Sequence, residues 1–490
     1  MILINTQLIS WINSNFEFNI SNKYYDCINE WLDWWRGYHK PFHRFYHYNG
    51  KKLLERDLYS LKMGKKVCED WASILLNSKT KIVIDDEKTD DFVQGGFKET
   101  GGVLSSNSFW VQANRLVERA FATGTGAVVI HTNGMKVFGD KITISPNARI
   151  KLNYISAEMI IPLSVDNGKI TEVAFSSEQI IRGKKYIVLE LHTIENGSYV
   201  IRNYRFENEN GYLKPAELQK GIVKKINTGN NIPWFAIVEP NIENDIEYSN
   251  GLGISVLHGA LDTLKAVDLC FNNFCSDFYL GAKKIFMKKD LCETDADGTT
   301  IAPDDVNQHL FTFVEMPLTD DGKSMLLQEF NPELRTEENT KGIQSALDYL
   351  SFKAGLGNKH YQFNSGSIVT ATQYTGDKQD LIQNAHKHYI VVEDFLLSLI
   401  RSIIHIGKNV IGADVDENAK IEIVFDKSVI IDENAERMQD AQDMRDGVMP
   451  KWEYRMKWYG DTEDEARAII SGIEDGESDD KLMGFEGGDA

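Results

Sequence analysis

Three histidines near the start of the chain have a spacing that could bind a metal ion. His39, His43 and His47 are four residues apart, and on a helix this spacing would align three imidazoles as a zinc-binding face. However, Pro41 lies among them, aromatic residues flank them, and no HExxH pattern is present. The pattern therefore favours aromatic packing at a domain edge. A metal-dependent hydrolase with a helical oligomerisation arm is kept as the alternative function.

Other stretches that resemble catalytic or ligand-binding motifs have simpler interpretations. The glycine-rich residues 123–130 match neither a P-loop nor a dinucleotide-binding motif. The acidic runs 85–91 and 293–298 lack the spacing of a calcium loop, and no GxSxG or CxxC motif occurs. His386 and His388, two residues apart, cannot share a helical face and are interpreted as exposed helix residues. No catalytic residue, metal or cofactor is predicted.

The composition favours a folded, acidic protein of several domains. The chain has 490 residues and a formal net charge of −20, and 42% of its residues are hydrophobic. This length predicts two to four domains, and the charge argues against a surface that grips nucleic acid. It does not exclude a surface past which nucleic acid slides. No signal peptide and no membrane-spanning run is recognised, so a soluble, cytoplasmic protein is expected.

Two residue patterns divide the first half of the chain. Residues 1–125 are predicted to be mostly helical, with a helix from about Ser108 to Thr123 that ends at Gly124. Between residues 127 and 213, short β-rich runs are separated by four Asn-Gly dipeptides, which favour type I′ hairpin turns. These dipeptides begin at Asn133, Asn167, Asn196 and Asn210. The pattern predicts an antiparallel β meander.

Apolar spacing in the second half predicts two long helices on either side of a small module. From Ile254 to Phe278 apolar residues step by three and four, which predicts a helix of about seven turns. Short strands and acidic turns follow. A second long helix is expected to be capped by Asn331, with Pro332 at its first position, and to end at Gly355.

A loop rich in Gly, Ser and Thr leads from the second long helix into a third. Apolar residues from Leu381 to Ile403 mark this third helix, which is expected to end at Gly407. A strand pair in "IEIVFDKSVIID" and a C-terminal helical cluster come next. The last helix starts with the capping box "TEDE" at Thr462 to Glu465. The chain is therefore predicted to be an α+β protein of several domains.

Several short stretches, in their order along the chain, resemble one protein family. They are "YYDCINEWLDWWRGYH", "IPWFAIVEPNIEND", "GLGISVLHGALDTLKAVD", "TATQYTGDKQDL", "IVFDKSVIIDENAE" and "DGVMPKWEYRMKWYGDTEDEA". Together they resemble the portal proteins of tailed bacteriophages, in the branch common in phages and prophages of Gram-positive bacteria. The resemblance runs through most of the chain.

The resemblance implies a multi-domain portal fold. Its parts are a mixed α/β wing that holds the β meander, two long stem helices that bracket a small α/β clip, a long wing helix after a tunnel loop, and a C-terminal helical crown. By position these parts are the wing at 1–251 and 370–432, the stem helices at 252–281 and 332–354, the clip at 282–331, the tunnel loop at 355–369, and the crown with its acidic tail at 433–490.

The resemblance also implies a function and a set of partners. It implies a ring of about twelve subunits at one capsid vertex, a head–tail connector of the virion through which double-stranded DNA is packaged and ejected. The ring would be assembled in the host cytoplasm without a membrane. The implied partners are other copies of the chain, double-stranded DNA, the large terminase subunit, the major capsid and scaffolding proteins, and a head-completion adaptor. Because the chain has no P-loop, the ATP-driven motor must be a separate protein, which the resemblance suggests is the terminase.

The tunnel loop supplies the candidate site residues, on the same resemblance. A conduit must avoid tight phosphate binding, so a channel with few basic residues suits sliding DNA. Lys359 and His360 are the exceptions in the loop, and its amide side chains could make weak polar contacts. The expected channel residues are Asn358, Lys359, His360, Tyr361, Gln362 and Asn364, and the expected loop-to-helix junction residues are Thr370, Thr372 and Asp377.

Overall fold

The chain mixes helices with several small sheets, as the α+β prediction requires. The computed structural model describes residues 2–48, 50–96, 100–291, 293–294, 296–297, 300–301, 310–313, 326–362, 371–426 and 433–472. The helices are α1 Ile2–Phe16, α2 Tyr24–Arg36, α3 Lys40–His43, α4 Met63–Leu75, α5 Glu87–Val93, α6 Val103–Ser106, α7 Phe109–Thr123, α8 Leu261–Leu280, α9 Thr336–Lys353, α10 Ala371–Ile406, α11 Glu433–Arg445 and α12 Lys451–Tyr459, followed by helical residues 463–472.

The strands form one large sheet and several smaller ones. They are β1 Arg44–Tyr48, β2 Leu53–Asp57, β3 Lys81–Ile84, β4 Gly95–Gly96, β5 Thr100–Gly101, β6 Gly126–Asn133, β7 Lys136–Phe138, β8 Lys141–Thr143, β9 Arg149–Ser156, β10 Ile160–Asp166, β11 Lys169–Ile181, β12 Lys184–Glu195, β13 Ser198–Glu209, β14 Tyr212–Ala216, β15 Lys225–Asn227, β16 Phe235–Val238, β17 Lys284–Lys288, β18 Glu293–Thr294, β19 Thr300–Ile301, β20 Leu310–Phe313, β21 Leu327–Phe330 and β22 Ile421–Val424. The large sheet has the order β10-β11-β12-β13-β15-β8-β7, with β14 also paired to β13.

The predicted β meander is confirmed, with one turn misplaced. Asn167, Asn196 and Asn210 each begin a two-residue hairpin turn in which both turn residues have positive φ, as a type I′ turn requires. A fourth hairpin, β11–β12, turns at Arg182-Gly183, which the Asn-Gly pattern does not predict. The hairpin predicted at Asn133 is wrong, because β6 pairs with β9 and β16 rather than with β7.

A three-stranded sheet, β16-β6-β9, separates two hydrophobic cores. Because side chains alternate between the faces of a strand, Ala127 and Val129 of β6 enter one core while Val128 and Ile130 enter the other. The first core lies between this sheet, α1, α2 and the large sheet. The second core contains α4, α7, α9 and α10. The β strands are thereby connected to the helices that carry the loop at 355–362.

A buried carboxylate joins the two sheets. His131 Nε2 on β6 donates to Glu190 Oε2 on β12 over 2.6 Å, and His192 Nε2 donates to Glu190 Oε1 over 2.7 Å. Burial alone would raise the pKa of Glu190, but the charge and hydrogen bonds of the two histidines outweigh it, so this pKa lies well below its ordinary value. Burial alone would lower the pKa of His131, yet the Glu190 carboxylate raises it.

This pair predicts a pH-dependent contribution to stability. Because the pKa of Glu190 is lowered in the fold, its carboxylate contributes stability at pH values above 4.5, the ordinary pKa of Glu. Because the pKa of His131 is raised, its protonated ring contributes stability at pH values below 6.5, the ordinary pKa of His. Glu190→Gln is therefore expected to lower the free energy of unfolding by about 2 kcal/mol between these values, and by less above pH 7. Thermal melts from pH 5 to 9 measure this difference.

An exposed carboxylate provides the control for the Glu190 experiment. Glu243 is exposed, so Glu243→Gln removes the same charge without removing a buried contact. Its melting curves are expected to follow the wild type at every pH. Equal pH dependence of the wild type and of Glu190→Gln would contradict the proposed charge pairing with His131.

The first long helix starts later than its apolar spacing predicts. The prediction began at Ile254, whereas α8 has 20 residues from Leu261, a length of about 30 Å. The preceding segment instead crosses the end of α7: Ser255 Oγ donates to Ala122 O over 2.7 Å, and Val256 N donates to Phe121 O over 3.1 Å. These bonds satisfy carbonyls that a helix terminus leaves without partners, and α8 begins only after a short 3₁₀ turn at His258–Ala260.

The second long helix also starts late, so the caps predicted for it are wrong. Asn331 and Pro332 lie outside α9, which begins at Thr336. The side chain of Arg335 forms two hydrogen bonds with the carboxylate of Asp277 on α8, over 2.5 and 3.2 Å. These bonds keep the pKa of Asp277 below its ordinary value. The residue that precedes α9 is therefore held against α8.

The third long helix is present and the C-terminal capping box agrees with the prediction, but the helix does not end at Gly407. Helix α10 runs to Ile406 and continues without a break as a π-helical turn over Gly407–Ile411, which ends at Gly412 in the left-handed conformation. Thr462 N donates to Glu465 Oε2 over 3.0 Å, and Glu465 N donates back to Thr462 Oγ1 over 3.4 Å. Strand β22 pairs with β3 from the first quarter of the chain. The second member of the predicted strand pair, in residues 427–432, lies outside the described residues.

No helix in the described ranges has both the length and the apolar character needed to cross a membrane.

Candidate functional site

The chain that leaves α9 is fixed to two other helices at the start of the candidate loop. Trp71 of α4 is buried, and its Nε1 donates to Ala354 O over 3.0 Å. Asn384 Nδ2 of α10 donates to Gly355 O over 3.0 Å. Leu356 is buried, and its backbone N donates to Ser351 O over 2.9 Å. The start of the loop is therefore held at a junction of α4, α9 and α10.

Beyond this junction the predicted channel residues divide into two groups. Asn358, Lys359 and Gln362 are exposed, and Lys359 has a φ of 63° in the left-handed region. His360 and Tyr361 are partly buried and turn toward α4. Only the first group is exposed, so the five channel residues that the structure describes are not equivalent.

Asp70 of α4 holds the second group in place. Tyr361 Oη donates to Asp70 Oδ2 over 2.9 Å, and His360 Nε2 lies 3.5 Å from the same oxygen. Lys66 Nζ also donates to this carboxylate, and Gln344 Nε2 of α9 donates to Tyr361 O over 2.8 Å. His360 and Tyr361 therefore attach the loop to the body of the protein.

The electrostatics of this cluster favour an ionised carboxylate. Burial alone would raise the pKa of Asp70, but hydrogen bonds from His360, Lys66 and Tyr361 outweigh it and keep the pKa below its ordinary value. Burial and the nearby Asp70 raise the pKa of Tyr361 far above its ordinary value. The phenol is therefore a hydrogen-bond donor at neutral pH, and this arrangement anchors the loop rather than supporting proton transfer.

The other predicted site residues cannot be assigned side-chain contacts. Asn364 and Thr370 lie outside the described residues. Thr372 and Asp377 are in the first turns of α10. Their roles at the loop-to-helix junction remain predictions.

Sequence reasoning did not identify the residues that hold the loop. In the sequence, Trp71 is one of the apolar residues that mark its helix. No motif or spacing around Asp70 or Gln344 predicts that they contact the loop. Asp70 and Tyr361 are 291 positions apart in the chain. A carboxylate next to an apolar helix face is a common pattern, so only the tertiary structure shows its role.

The three spaced histidines do not form a metal site. Between His39 and His47, only residues 40–43 are helical, and His47 lies on strand β1. The three rings therefore do not share a helix face. His43 is fully buried, with its Nε2 3.0 Å from Asp268 Oδ2 of α8, and His39 stacks on Trp34. The interpretation as aromatic packing is confirmed for His39 and His43, whereas His47 is exposed on β1. Across the described ranges, no three His, Cys, Asp or Glu side chains are arranged to hold a metal ion.

One of the two later histidines was misassigned. His386 is exposed as predicted, but His388 is buried against Trp71 and Phe121, with ring centroids 4.8 and 4.9 Å away. Its Nδ1 accepts a hydrogen bond from Asn241 N over 3.1 Å. Burial lowers the pKa of His388 to about 3, so the ring is neutral and belongs to the core at the loop junction.

Comparisons with known proteins define the class of this chain. A family model described as "Phage portal protein, SPP1 Gp6-like" matches residues 15–478. Because the match spans nearly the whole sequence, this chain belongs to that family of phage portal proteins. The resemblance found in the sequence is thereby confirmed, and the class is a structural component of the phage head–tail connector.

Two other comparisons add little. No curated protein matches this chain. Among solved structures, the chain is similar to one described as "Neck of native GTA particle computed with C12 symmetry", at 10% sequence identity and a TM-score of 0.36, over 80% of this chain and 88% of that one. This similarity is too distant to transfer the symmetry of that particle to this protein.

Proposed function

We propose that this portal protein forms a closed ring of about twelve copies at one capsid vertex and conducts double-stranded DNA through its centre during packaging and ejection. The observation that carries the proposal is the family match over residues 15–478. Within the ring, residues 252–281 and 332–354, which contain α8 and α9, serve as the stem, residues 282–331 as the clip, residues 355–369 as the tunnel loop, and residues 433–490 as the crown and tail. Residues 1–251 and 370–432 form the wing.

Exposed apolar side chains on the stem helices support an assembly. A monomer rarely leaves several large apolar residues in solvent on two packed helices. In a head-to-tail ring each subunit presents two different faces, and such residues become buried between copies. On α8 and α9 the exposed residues are Leu269, Phe278, Tyr279, Leu280, Tyr349 and Phe352.

The loop geometry supports a channel with weak DNA contacts. Lys359 is the only Lys or Arg in residues 355–369, and it is exposed, immediately before the two loop residues that contact Asp70. A ring of such loops would offer DNA a small number of separate charges rather than a continuous basic surface. Few phosphate contacts mean weak, rapidly exchanged binding, which suits a conduit.

The remaining partners follow from the same proposal. The ring would dock the large terminase subunit as its motor, because this sequence contains no P-loop of its own. It would also bind the major capsid and scaffolding proteins during head assembly and a head-completion adaptor afterwards. The expected location is the portal vertex of the virion, after assembly in the host cytoplasm.

Removal of the loop charge tests the conduit. Lys359→Ala is expected to reduce the yield of DNA-filled heads and the DNA retained in them several-fold, because the change is repeated in every subunit of the ring. The measurement is quantification of packaged DNA in particles assembled with the variant portal. Lys220→Ala, which removes an exposed lysine of the large-sheet region, is the matched control and is expected to package normally.

The variant His360→Ala differs from Lys359→Ala because it also changes how the loop is attached. Because His360 contacts Asp70, His360→Ala would loosen the loop as well as remove a ring from its surface. If Lys359→Ala and His360→Ala both package and retain DNA as the wild type does, the loop makes no functional contact with DNA. It would then serve only as a structural seal.

A further inference from the structure

A two-stranded hairpin stands out from the rest of the fold. Strands β1 and β2, here called the arm, pair antiparallel from Arg44–Asp57 to Tyr48–Leu53. Nearly every residue of both strands is exposed. Tyr46, Tyr48 and Leu53 expose about 60% of their surface on one face (59%, 63% and 62%), and none of the arm's described side chains belongs to either hydrophobic core.

The base of the arm, in contrast, is firmly attached. His43 is fully buried and bonded to Asp268 on α8, and Leu58 N donates to His43 O over 2.8 Å. Asp268 also accepts hydrogen bonds from Ser60 Oγ over 3.0 Å and from Leu61 N over 2.7 Å. The arm is therefore held in a fixed position beside the proposed stem while both of its faces meet solvent.

An exposed hairpin of this kind lacks the usual source of stability. A two-stranded hairpin with no packed face is marginally stable in water. This arm has apolar or aromatic side chains on both faces, with Phe45 and Leu54 opposite Tyr46, Tyr48 and Leu53 in the alternation of the strands. Tyrosine and phenylalanine are enriched in the cores of protein interfaces. The arm therefore has the composition of a binding element rather than of a solvated loop.

The charge of the arm differs from that of the whole chain. Residues 44–57 contain four Lys and Arg residues and two Asp and Glu residues, whereas the full chain contains 53 of the first kind and 73 of the second. A basic element on an acidic protein is electrostatically complementary to another copy of that protein. In a ring, the arm of each copy lies next to the acidic surface of another copy.

We propose that the arm docks on a neighbouring copy of this chain and fastens adjacent subunits of the ring. The inference rests on the proposed ring and adds to it the element that makes the contact. The aromatic residues of the arm pack against apolar surface of the neighbour, and its basic residues face the neighbour's acidic surface. Docking covers the two faces that the single chain leaves in solvent.

Double-stranded DNA fits the arm less well. Arg44 is bonded within the arm to Asp57, over 3.0 Å, and to Glu55, over 2.6 Å. Those carboxylates lie on the same face as Tyr46 and would meet phosphates, which repel them. A DNA backbone also offers no apolar surface for Phe45 or Leu53. A protein surface satisfies both requirements.

Photo-crosslinking tests the contact directly. A photoreactive phenylalanine derivative replaces Tyr48 in the full-length chain, and light-isotope and heavy-isotope chains are mixed before assembly. The same replacement at Tyr212, which is exposed on β14 of the large sheet, is the control. We expect irradiation to yield covalent dimers that contain one light and one heavy chain from position 48, and few or none from position 212.

A second variant measures the contribution of the arm to assembly. Because Tyr46 and Tyr48 are exposed, replacing both with serine leaves the cores unchanged. The double variant is expected to need about ten-fold more protein than the wild type for half of the chains to assemble. Circular dichroism that matches the wild type shows that the subunit remains folded.

Three results of these experiments would contradict the arm contact, and they differ in what they imply for the ring. If the wild type forms rings but position 48 gives no crosslinks between chains and the double variant assembles normally, the arm inference is wrong and the ring stands. Crosslinks from position 48 to added duplex DNA and none to a second chain would also overturn it, with nucleic acid as the partner. A wild-type chain that remains monomeric throughout would overturn the ring and the arm contact together.

Discussion

Trp71→Ala is expected to lower the free energy of unfolding by about 3–5 kcal/mol, because it removes a large buried side chain from the junction of three helices. The indole is 1% exposed, packs against the His388 ring and donates a hydrogen bond to Ala354 O. Its removal leaves a cavity and an unsatisfied carbonyl at the base of the proposed tunnel loop. Urea unfolding of the purified subunit measures the loss.

The same substitution is expected to release the loop. Without the bond to Ala354, hydrogen exchange of the backbone at Gly355 and Leu356 should become faster than in the wild type. Trp71→Phe is the matched control, since it retains an aromatic ring and removes the hydrogen bond. Trp71→Phe is expected to lower the free energy of unfolding by about 1–2 kcal/mol. Wild-type stability in Trp71→Ala would show that the junction does not depend on this side chain.

Gly124→Ala is expected to destabilise the protein by about 3–5 kcal/mol, through a backbone clash as well as an unfavourable φ. Gly124 has a φ of 89°, and a Cβ there would lie 2.0 Å from Gly253 O. The reciprocal Cβ on Gly253 would lie 2.4 Å from Gly124 O. This contact brings the segment before α8 against the end of α7, so a methyl group would separate the proposed stem from the wing.

Gly197→Ala separates the two contributions. Gly197 also has a positive φ, 79°, but no atom lies within 4 Å of a Cβ placed there. Gly197→Ala is expected to lower the free energy of unfolding by about 1 kcal/mol, which is the penalty for placing alanine at a positive φ without a steric clash. Thermal and urea unfolding of both variants measure the difference. Equal losses in the two variants would contradict the close packing of Gly124 on Gly253.

The elements that were predicted correctly have strong local signals. Asn196-Gly197 specifies a hairpin turn through its own φ preferences, and the apolar period of α10 is long enough to exclude a strand. Gly124 ends α7 because glycine accepts the left-handed conformation that a helix terminus needs. In each case the information lies within a few residues of the feature.

The errors occurred where tertiary contacts override local preference. Ile254 and Leu257 follow a helical period, yet Ser255 is used to satisfy the end of α7, so the helix begins only at Leu261. His388 appeared polar and exposed, but the meeting of α4, α7 and α10 buries it. A single sequence does not contain the position of a distant helix, so these outcomes could not be predicted from it.

The same limit applies to the candidate site. The Gly-, Ser- and Thr-rich composition predicts a loop after α9, and residues 355–362 do lie outside helices and strands. The role of this loop in a channel is what the family resemblance implies. That resemblance treated His360 and Tyr361 as channel residues, whereas their contacts with Asp70 attach them to α4. The division between exposed and attached loop residues therefore depends on a pairing across 291 positions of the chain.

The native mass of the purified protein tests the central claim most directly. Twelve copies of the 55.7 kDa chain form a ring of about 670 kDa, and a ring with one subunit more or fewer differs by a single chain mass. Native mass spectrometry or mass photometry across a concentration series resolves these species. We predict a discrete ring of that size. A protein that remains monomeric or dimeric at every concentration would contradict a self-assembling portal ring.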